Sequence, residues 1–434
     1  MGEWKWLKRT GAVILAVMLL CMAGVTASFA EEGDGPKELT LYAQSAVLMD
    51  GQTGRVLWEK EGDMARPMAS TTKIMTCILA LELGLDEEGR TTQVSANAAA
   101  QPEVHLGMRR GQTFFTRDLL YSLMLESHND TAVAIAEAAA GSVEAFAGLM
   151  NQKAEELGCE DTWFITPNGL DGKVTLEDGT ERVHSTSARD LAAILRYCVL
   201  ESPMAERFME ITRTSDYCFR DAEGKGSYSC RNHNALLTMM EGVLSGKTGF
   251  TNGAGYCYTA AVEEGGRVFV IALLGCGWPP HKTYKWSDAA KLIAYGKENY
   301  QYRDLYRPVE LAEMPVKNGV KEYEGLPDTV ALKAGMPQME EGWTAGTGNA
   351  AARQPSSTTV LPILTSPWDQ VRIVKRLPAA LKAPVESGME VGTIEYYLNE
   401  ELAARAPVYT AEAAEAFTFS WCLRRAAADF LLNH

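Results

Sequence analysis

The chain has 434 residues and a formal net charge of −15 at pH 7. Its length allows two or three domains, and its acidic balance argues against nucleic acid as a partner. The cysteines show no zinc-ligand spacing, and we predict neither a metal nor a cofactor. Cys218 and Cys230 flank a turn-rich segment. We expect two free thiols there and leave a disulfide as the alternative.

The N-terminus has the features of an export signal. Lys5, Lys8 and Arg9 precede an uncharged apolar stretch that ends in Ala27-Ser28-Phe29-Ala30. A basic head, a short apolar run and small residues at −3 and −1 predict a signal peptide at residues 1–30, cleaved after Ala30. An uncleaved anchor stays open as the alternative, because residues 10–30 carry no charge.

Strand-like segments lie at both ends of a helical region in the first three hundred residues. Residues 46–50 and 55–59 predict a hairpin, and helices fill about 71–200. Strands return at about 213–276, and 286–298 predicts a closing helix. We therefore predict an α+β fold, in which the N- and C-terminal strands are adjacent in one antiparallel sheet packed with a helical block.

The first of three short motifs, Ser70-Thr71-Thr72-Lys73, begins an apolar segment. Pro67 predicts a helix start here, with Ser70 in the first turn and Lys73 on the same face. A serine needs a neighbouring base, and a lysine can be that base only where burial or a second positive charge lowers its pKa from about 10.4. We predict Ser70 as nucleophile and Lys73 as base, with Lys247 as the second charge. Taken alone, the motif is also typical of a helix cap beside a solvated lysine.

The second motif, Ser127-His128-Asn129, forms a turn before an apolar helix at 132–140 that Asp130-Thr131 is expected to cap. A turn between buried helices holds side chains rigidly at a cleft. We predict that Ser127 relays a proton between the two motif lysines and a leaving amine. Asn129 is predicted to bind a peptide carbonyl, and His128 to be a spacer.

The third motif, Lys247-Thr248-Gly249, is predicted to lie on an edge strand followed by a hairpin. Its ammonium and hydroxyl groups suit a substrate carboxylate, and Gly249 lets a substrate backbone lie alongside. The backbone N–H groups of Ser70 and Phe250 are the expected oxyanion hole.

The pattern changes after about residue 306 to short strand-like runs, at 309–316, 329–332, 371–374 and 391–398. Residues 338–357 are rich in Gly, Ala, Ser, Gln and Glu and predict a flexible loop. The tail, 411–434, predicts a helix. Its apolar residues form two nearly opposite stripes and its charges nearly cancel, so it matches a membrane-surface helix poorly.

The three motifs, in this order, are the set of penicillin-binding proteins and class A β-lactamases. From about residue 40 to 400 the chain resembles serine-type D-alanyl-D-alanine carboxypeptidases, the low-molecular-mass penicillin-binding proteins. Besides the motifs, the resemblance rests on the blocks at 45–50, 67–76, 167–171, 184–190 and 247–251.

This resemblance implies a β-lactamase/transpeptidase-like domain at 31–305, a smaller β-rich C-terminal domain at 306–408 and a helix at 409–434. It implies that Ser70 is acylated by peptidoglycan stem peptides ending in D-Ala-D-Ala, with release of D-Ala and then hydrolysis, and by β-lactam antibiotics.

The resemblance also implies an exported protein on the cell-wall side of the cytoplasmic membrane, with peripheral membrane contact through the C-terminal helix. His233 stands where some relatives have a carboxylate-binding arginine. We expect Lys247, Thr248 and His233 to share that task here.

Two other functions stay open. A serine β-lactamase is disfavoured because no convincing Glu-x-x-x-Asn deacylation motif lies between Asn129 and Lys247 and because the chain has an additional C-terminal domain. A catalytically silent cell-wall-binding protein is disfavoured because Ser70, Lys73, Ser127 and Lys247 are all present, and a scaffold needs none of them.

Overall fold

The computed structural model describes residues 39–323, 325–326, 328–340, 343 and 360–432. The predicted signal peptide, 1–30, lies outside these residues. So does most of the predicted flexible loop at 338–357. Within that loop, Gln338–Met339 form a strand and Trp343 is buried.

The strands of the described chain are numbered here in sequence order. The first group comprises β1 Ser45–Asp50, β2 Val56–Lys60, β3 Thr91–Gln93, β4 Thr113–Phe115, β5 Lys173–Thr175, β6 Glu181–Val183, β7 Asp216–Arg220, β8 Ser227–Arg231, β9 Val243–Thr251, β10 Gly255–Glu264 and β11 Arg267–Leu274. The second group comprises β12 Gln301–Asp304, β13 Met314–Lys317, β14 Thr329–Val330, β15 Leu332–Ala334, β16 Gln338–Met339, β17 Pro362–Thr365, β18 Val371–Arg376, β19 Leu381–Lys382, β20 Glu390–Leu398 and β21 Glu401–Thr410.

Most helices lie among the strands of the first group or directly after them, and two lie in the second part of the chain. The α-helices are Lys73–Glu82, Ala96–Ala99, Thr116–Tyr121, Asn129–Ala140, Val143–Glu156, Ala188–Arg196, Ala205–Arg213, Leu236–Met239, Tyr284–Asn299, Val320–Tyr323 and Phe419–Leu432. Ala69–Thr72 form a 3-10 turn, and Ser122–Glu126 and Tyr197–Glu201 are π-helical.

A five-stranded antiparallel sheet, in the order β2-β1-β11-β10-β9, lies at the centre of the first part of the described chain. β1 pairs with β11 along its whole length, which confirms the predicted adjacency of the terminal strands. Side chains alternate between the faces, so Val270 and Ala272 pack against the helical block, while Phe269 and Ile271 pack with the helix Tyr284–Asn299. The α+β class is confirmed, and β9 is a sheet edge as predicted.

The helix Lys73–Glu82 runs through the middle of the helical block. Every residue from Lys73 to Leu81 is buried, in agreement with an apolar sequence that has no polar stripe. The nucleophile turn, Ala69–Thr72, is therefore held on a buried, well-packed helix and contacts β9 and β10.

The C-terminal part is β-rich, as predicted. Its largest sheet has the order β15-β21-β20-β18, and its core includes Ile394, Tyr396 and Val408. β12 pairs with β17, so strand pairing in this part begins at Gln301, before the predicted boundary at residue 306.

The tail helix begins later than residue 411, where the sequence pattern placed it. Ala414 and Ala416 form β-bridges with Val385 and Gly319, which keeps this segment extended. The Thr418 hydroxyl accepts the Trp421 N–H at the start of the helix. Among the described residues, no single helix has the length and apolarity to cross a membrane. The bent pair Asn129–Ala140 and Val143–Glu156 meets that test by length and composition alone.

Cys218 and Cys230 lie on the predicted hairpin, but they do not face each other. Cys218 is opposite Ser229, and Cys230 is opposite Tyr217. A one-residue offset puts two side chains on opposite faces of a hairpin, and Cys218 is exposed while Cys230 is buried. Both thiols are free, as expected.

Candidate active site

The Lys73 amine lies at the centre of a small polar cluster. Lys73 Nζ is 2.9 Å from Ser70 Oγ, 2.9 Å from Asn129 Oδ1 and 2.5 Å from the Asn168 carbonyl oxygen. A neutral amine has two N–H bonds and one lone pair. The two carbonyl oxygens accept both N–H bonds, which leaves the lone pair for the Ser70 hydroxyl.

Burial favours this neutral form. Lys73 is fully buried, and desolvation, followed by the charge of Lys247, holds the pKa of Lys73 well below its usual value, against an opposing effect of Asp130. The sequence predicted both causes. A lysine in this state can accept a proton from an adjacent hydroxyl.

Ser127 ends the π-helical turn Ser122–Glu126 in a left-handed conformation, with φ +67°. Its Oγ accepts a hydrogen bond from Lys247 Nζ at 2.9 Å. The Lys247 amine also donates to its neighbour, the Thr248 carbonyl, and burial lowers the pKa of Lys247 to about 7. The structure therefore joins the second and third motifs directly.

Asp130 does not cap the helix Asn129–Ala140, so that prediction was wrong. His128 is the N-cap residue. The buried Asp130 carboxylate accepts three N–H groups from the loop residues Leu106, Gly107 and Met108. His128 is buried, with Nδ1 2.8 Å from Ser122 Oγ, a structural contact consistent with a spacer.

The expected oxyanion donors lie on neighbouring segments. Phe250 is opposite Tyr256, whose backbone N–H and carbonyl bond to Gly277 and Cys276 on the other side of β10. Phe250 is therefore in a non-hydrogen-bonded pair, and its N–H points to the free edge of β9. A Cβ on Gly249 would lie 2.9 Å from the Ser70 nitrogen, so this edge passes directly beside the nucleophile turn.

His233 lies apart from this cluster. Its Nε2 is 2.7 Å from Glu126 Oε2, and 62% of the side chain is exposed. Its backbone N–H donates to the Leu125 carbonyl. The imidazole is thus engaged by a carboxylate beside Ser127, and no contact joins it to Lys247 or Thr248 among the described residues.

Sequence reasoning did not assign a role to three residues that shape the nucleophile turn. Asn168 supplies the carbonyl that binds Lys73, and Gly169 follows it with φ +84°. His184 Nδ1 accepts the Ile165 N–H, so its Nε2 donates to Thr72 Oγ1, 2.8 Å away. Burial and the charge of Lys73 lower the pKa of His184 to about 4, which keeps this ring neutral. The Pro-Asn-Gly sequence was a turn signal that could have pointed to the first two.

The family model for D-alanyl-D-alanine carboxypeptidases, peptidase family S11, matches residues 32–276, more than half of the chain. The model for the penicillin-binding protein 5 C-terminal domain matches residues 353–416. The chain therefore belongs to the D-alanyl-D-alanine carboxypeptidase family and is a serine hydrolase of the peptidase class.

Known relatives agree with this assignment. The D-alanyl-D-alanine carboxypeptidase DacF of Bacillus subtilis is 28% identical over 426 residues, which is 96% of this chain and 97% of that protein. The carboxypeptidase DacD of Francisella tularensis shares the fold with a TM-score of 0.63, at 22% identity over 88% of this chain and 96% of that chain. Penicillin-binding protein D2 of Listeria monocytogenes, solved with cefotaxime bound, has a TM-score of 0.50 at 26% identity over 60% of this chain and 99% of that chain.

Proposed function

We propose that this protein removes the terminal D-Ala from peptidoglycan stem peptides through an acyl-enzyme on Ser70, and that penicillins acylate the same serine. The observation that carries the proposal is the Lys73 amine, which is buried and 2.9 Å from Ser70 Oγ, with Asn129 Oδ1 and the Asn168 carbonyl oxygen as its other two partners. This arrangement suits a base for the serine proton.

In acylation, Ser70 Oγ attacks the carbonyl carbon of the penultimate D-Ala as its proton passes to Lys73 Nζ. The Ser70 and Phe250 N–H groups stabilise the oxyanion. The C–N bond then breaks as Lys73 gives up this proton, which the Ser127 hydroxyl, held by Lys247, relays to the leaving amine. D-Ala departs, and Ser70 carries the acyl group as an ester.

In deacylation, a water enters on the side that D-Ala has left. As the water attacks the ester carbon, its proton passes through Ser127 to Lys73, and Lys73 returns it to Ser70 Oγ when the ester C–O bond to Ser70 breaks. A β-lactam keeps its leaving group attached to the acyl fragment and blocks that side. We therefore expect the penicillin adduct on Ser70 to last far longer than the peptide acyl-enzyme.

Lys247 and Thr248 are proposed to bind the terminal carboxylate of the substrate. His233 contributes less in this proposal, because the Glu126 carboxylate on its ring competes with a substrate carboxylate. Asn129 Nδ2 donates to the Pro102 carbonyl at 3.2 Å, a bond that a substrate carbonyl can replace.

The proposal places the protein outside the cytoplasmic membrane, where its substrate lies. It includes cleavage of the signal peptide after Ala30 and peripheral membrane contact through the helix Phe419–Leu432. Phe419, Leu423 and Phe430 are strongly exposed on that helix, which supports the contact.

The test is Ser70→Ala, with the exposed Ser227→Ala as control, incubated with fluorescent penicillin and with diacetyl-Lys-D-Ala-D-Ala. We expect Ser70→Ala to lose both the label and D-Ala release, and the control to keep both. Labelling of Ser70→Ala at the wild-type rate contradicts the assignment. Intact-mass spectrometry measures how long the wild-type penicillin adduct lasts. Loss of this adduct within seconds would identify a β-lactamase instead.

A further inference from the structure

An acidic side chain, Asp171, contacts the end of β9 beyond the third motif, and the reaction above does not use it. Alternate residues of a strand share a face, so Lys247, Gly249 and Thr251 form one row. Lys247 contacts Ser127, Gly249 lies beside the Ser70 nitrogen, and the Thr251 hydroxyl donates to Asp171 Oδ1 at 3.0 Å. This row therefore has the Lys247 ammonium at one end and, at the other end, Thr251 bound to the Asp171 carboxylate.

The direction of the substrate follows from the proposed function. Its terminal carboxylate lies at Lys247 and Thr248, and its scissile carbonyl lies between the N–H groups of Ser70 and Phe250. The substrate thus runs from residue 247 towards residue 251 as it is followed from its C-terminus. The residue that precedes D-Ala-D-Ala must then lie beside Thr251. Thr251 is two residues beyond Gly249, about 6.6–6.8 Å along the strand, and its hydroxyl contacts Asp171. A long side chain on the substrate residue beside Thr251 therefore reaches Asp171.

Asp171 is held in place and accessible. A Cβ on Gly253 would lie 2.8 Å from Asp171 Oδ2, so the carboxylate packs against the turn that follows β9. The residue is exposed. The nearby Lys173 ammonium is bound to Glu181 at 2.5 Å, on the hairpin that leads away from this turn, and does not neutralise Asp171.

An aromatic side chain borders the same turn. Trp278 Nε1 donates to the Asn252 carbonyl at 2.9 Å, and its ring lies against Gly255, where a Cβ would be 2.9 Å from it. The Trp278 side chain is partly exposed, at 36%. An apolar ring near a carboxylate suits a side chain that has an aliphatic stem and a charged end.

We propose that Asp171 determines substrate specificity by binding a protonated side-chain amine on the residue that precedes D-Ala-D-Ala. The inference rests on the proposed function, because that function fixes the direction of the substrate. Preferred substrates thus carry a diamino acid with a free side-chain amine at that position, and blocking this amine lowers kcat/KM.

The test compares two peptides that differ only in that charge, Nα-acetyl-Lys-D-Ala-D-Ala and its Nα,Nε-diacetyl form. Asp171→Asn removes the charge and keeps Oδ1 as the acceptor for Thr251. Asp178→Asn, on the adjacent exposed turn, removes the same charge away from β9 and is the matched control.

We expect wild-type kcat/KM to be about fivefold higher for the free amine, the size of an exposed ion pair. Asp171→Asn brings the ratio to about one by lowering only the free-amine value, and Asp178→Asn keeps the wild-type ratio. Three outcomes overturn the inference while the proposed function stands. They are a wild-type kcat/KM ratio of one, an equal loss of kcat/KM for both peptides in Asp171→Asn, and the same change of the ratio in Asp178→Asn.

Failure of both peptides to release D-Ala would instead contradict the proposed function. The rate of Ser70 acylation then tests Asp171 separately, with ampicillin, which carries an ammonium on its side chain, against benzylpenicillin, which does not. A preference for ampicillin that Asp171→Asn removes supports the subsite. Equal effects of Asp171→Asn on both drugs overturn it.

Discussion

Arg55 and Asp369 form a bidentate ion pair that joins the β1–β2 hairpin to the C-terminal part of the chain. The two guanidinium–carboxylate distances are 2.7 and 3.0 Å, and the side chains are only 11% and 2% exposed. The guanidinium also donates to the Leu364 carbonyl. Burial raises the pKa of Asp369, but its bonds with Arg55 outweigh this and hold the pKa below its usual value.

Asp369→Asn should weaken the attachment of the C-terminal part without changing acylation of Ser70. Removing one partner of a buried pair leaves the other charge uncompensated, at a cost of about 3–5 kcal/mol. Thermal unfolding and limited proteolysis between residues 301 and 311 measure the effect. The control is Glu400→Gln, which breaks the exposed pair with Arg372 and should cost under about 1 kcal/mol. Equal effects of the two variants would contradict a structural role for the buried pair.

Lys73→Arg should be nearly inactive although it keeps the positive charge. A guanidinium has a pKa above about 12 and cannot give up its proton to become the base. The comparison is the penicillin acylation rate of Lys73→Arg with that of Lys73→Ala, and we expect both to fall by at least about a hundredfold. Substantial acylation by the arginine variant alone would mean that Lys73 acts only through its charge.

Lys247→Met should raise stability, most of all at low pH. The pKa of Lys247 is about 7 in the folded protein because of burial, against about 10.4 in an unfolded chain. Between these values the unfolded chain binds more protons, so the stability of the wild type rises with pH, and below pH 7 the fold bears the full cost of a buried ammonium.

The difference in Tm between Lys247→Met and wild type should therefore be larger at pH 6 than at pH 9. The control is Lys333→Met, because Lys333 is exposed. We expect its Tm to differ from that of the wild type by the same small amount at pH 6 and at pH 9. A difference for Lys247→Met that does not change with pH would argue against the buried charge as its cause.

Gly169→Ala should slow acylation by more than about tenfold. The added Cβ would lie 2.0 Å from the Ala69 carbonyl oxygen, so the nucleophile turn must shift. Gly179→Ala is the control, because Gly179 has the same φ of +84° with nothing within 4 Å of its Cβ position. Both variants bear about 1–2 kcal/mol for the left-handed conformation. Only Gly169→Ala should lose penicillin acylation, and equal acylation rates would contradict the contact.

The sequence by itself determined the elements that local pattern controls. The apolar segment after Ser70 became a buried helix, and the segment at 247 and the continuous apolar run at 268–275 became strands of one sheet, because apolar runs and turn residues act within a few residues. Ser70 and Lys73 met as predicted, since three residues on a helix lie on one face.

Only the tertiary structure decided which distant groups complete the site. The Asn168 carbonyl reaches Lys73 across 95 residues of sequence, and its backbone oxygen leaves no signature in residue identity. Asp130 stood where a helix cap is expected, but the loop of Leu106, Gly107 and Met108 offered its buried carboxylate three N–H groups. A buried polar group takes whichever partners packing brings to it, and packing depends on the whole chain.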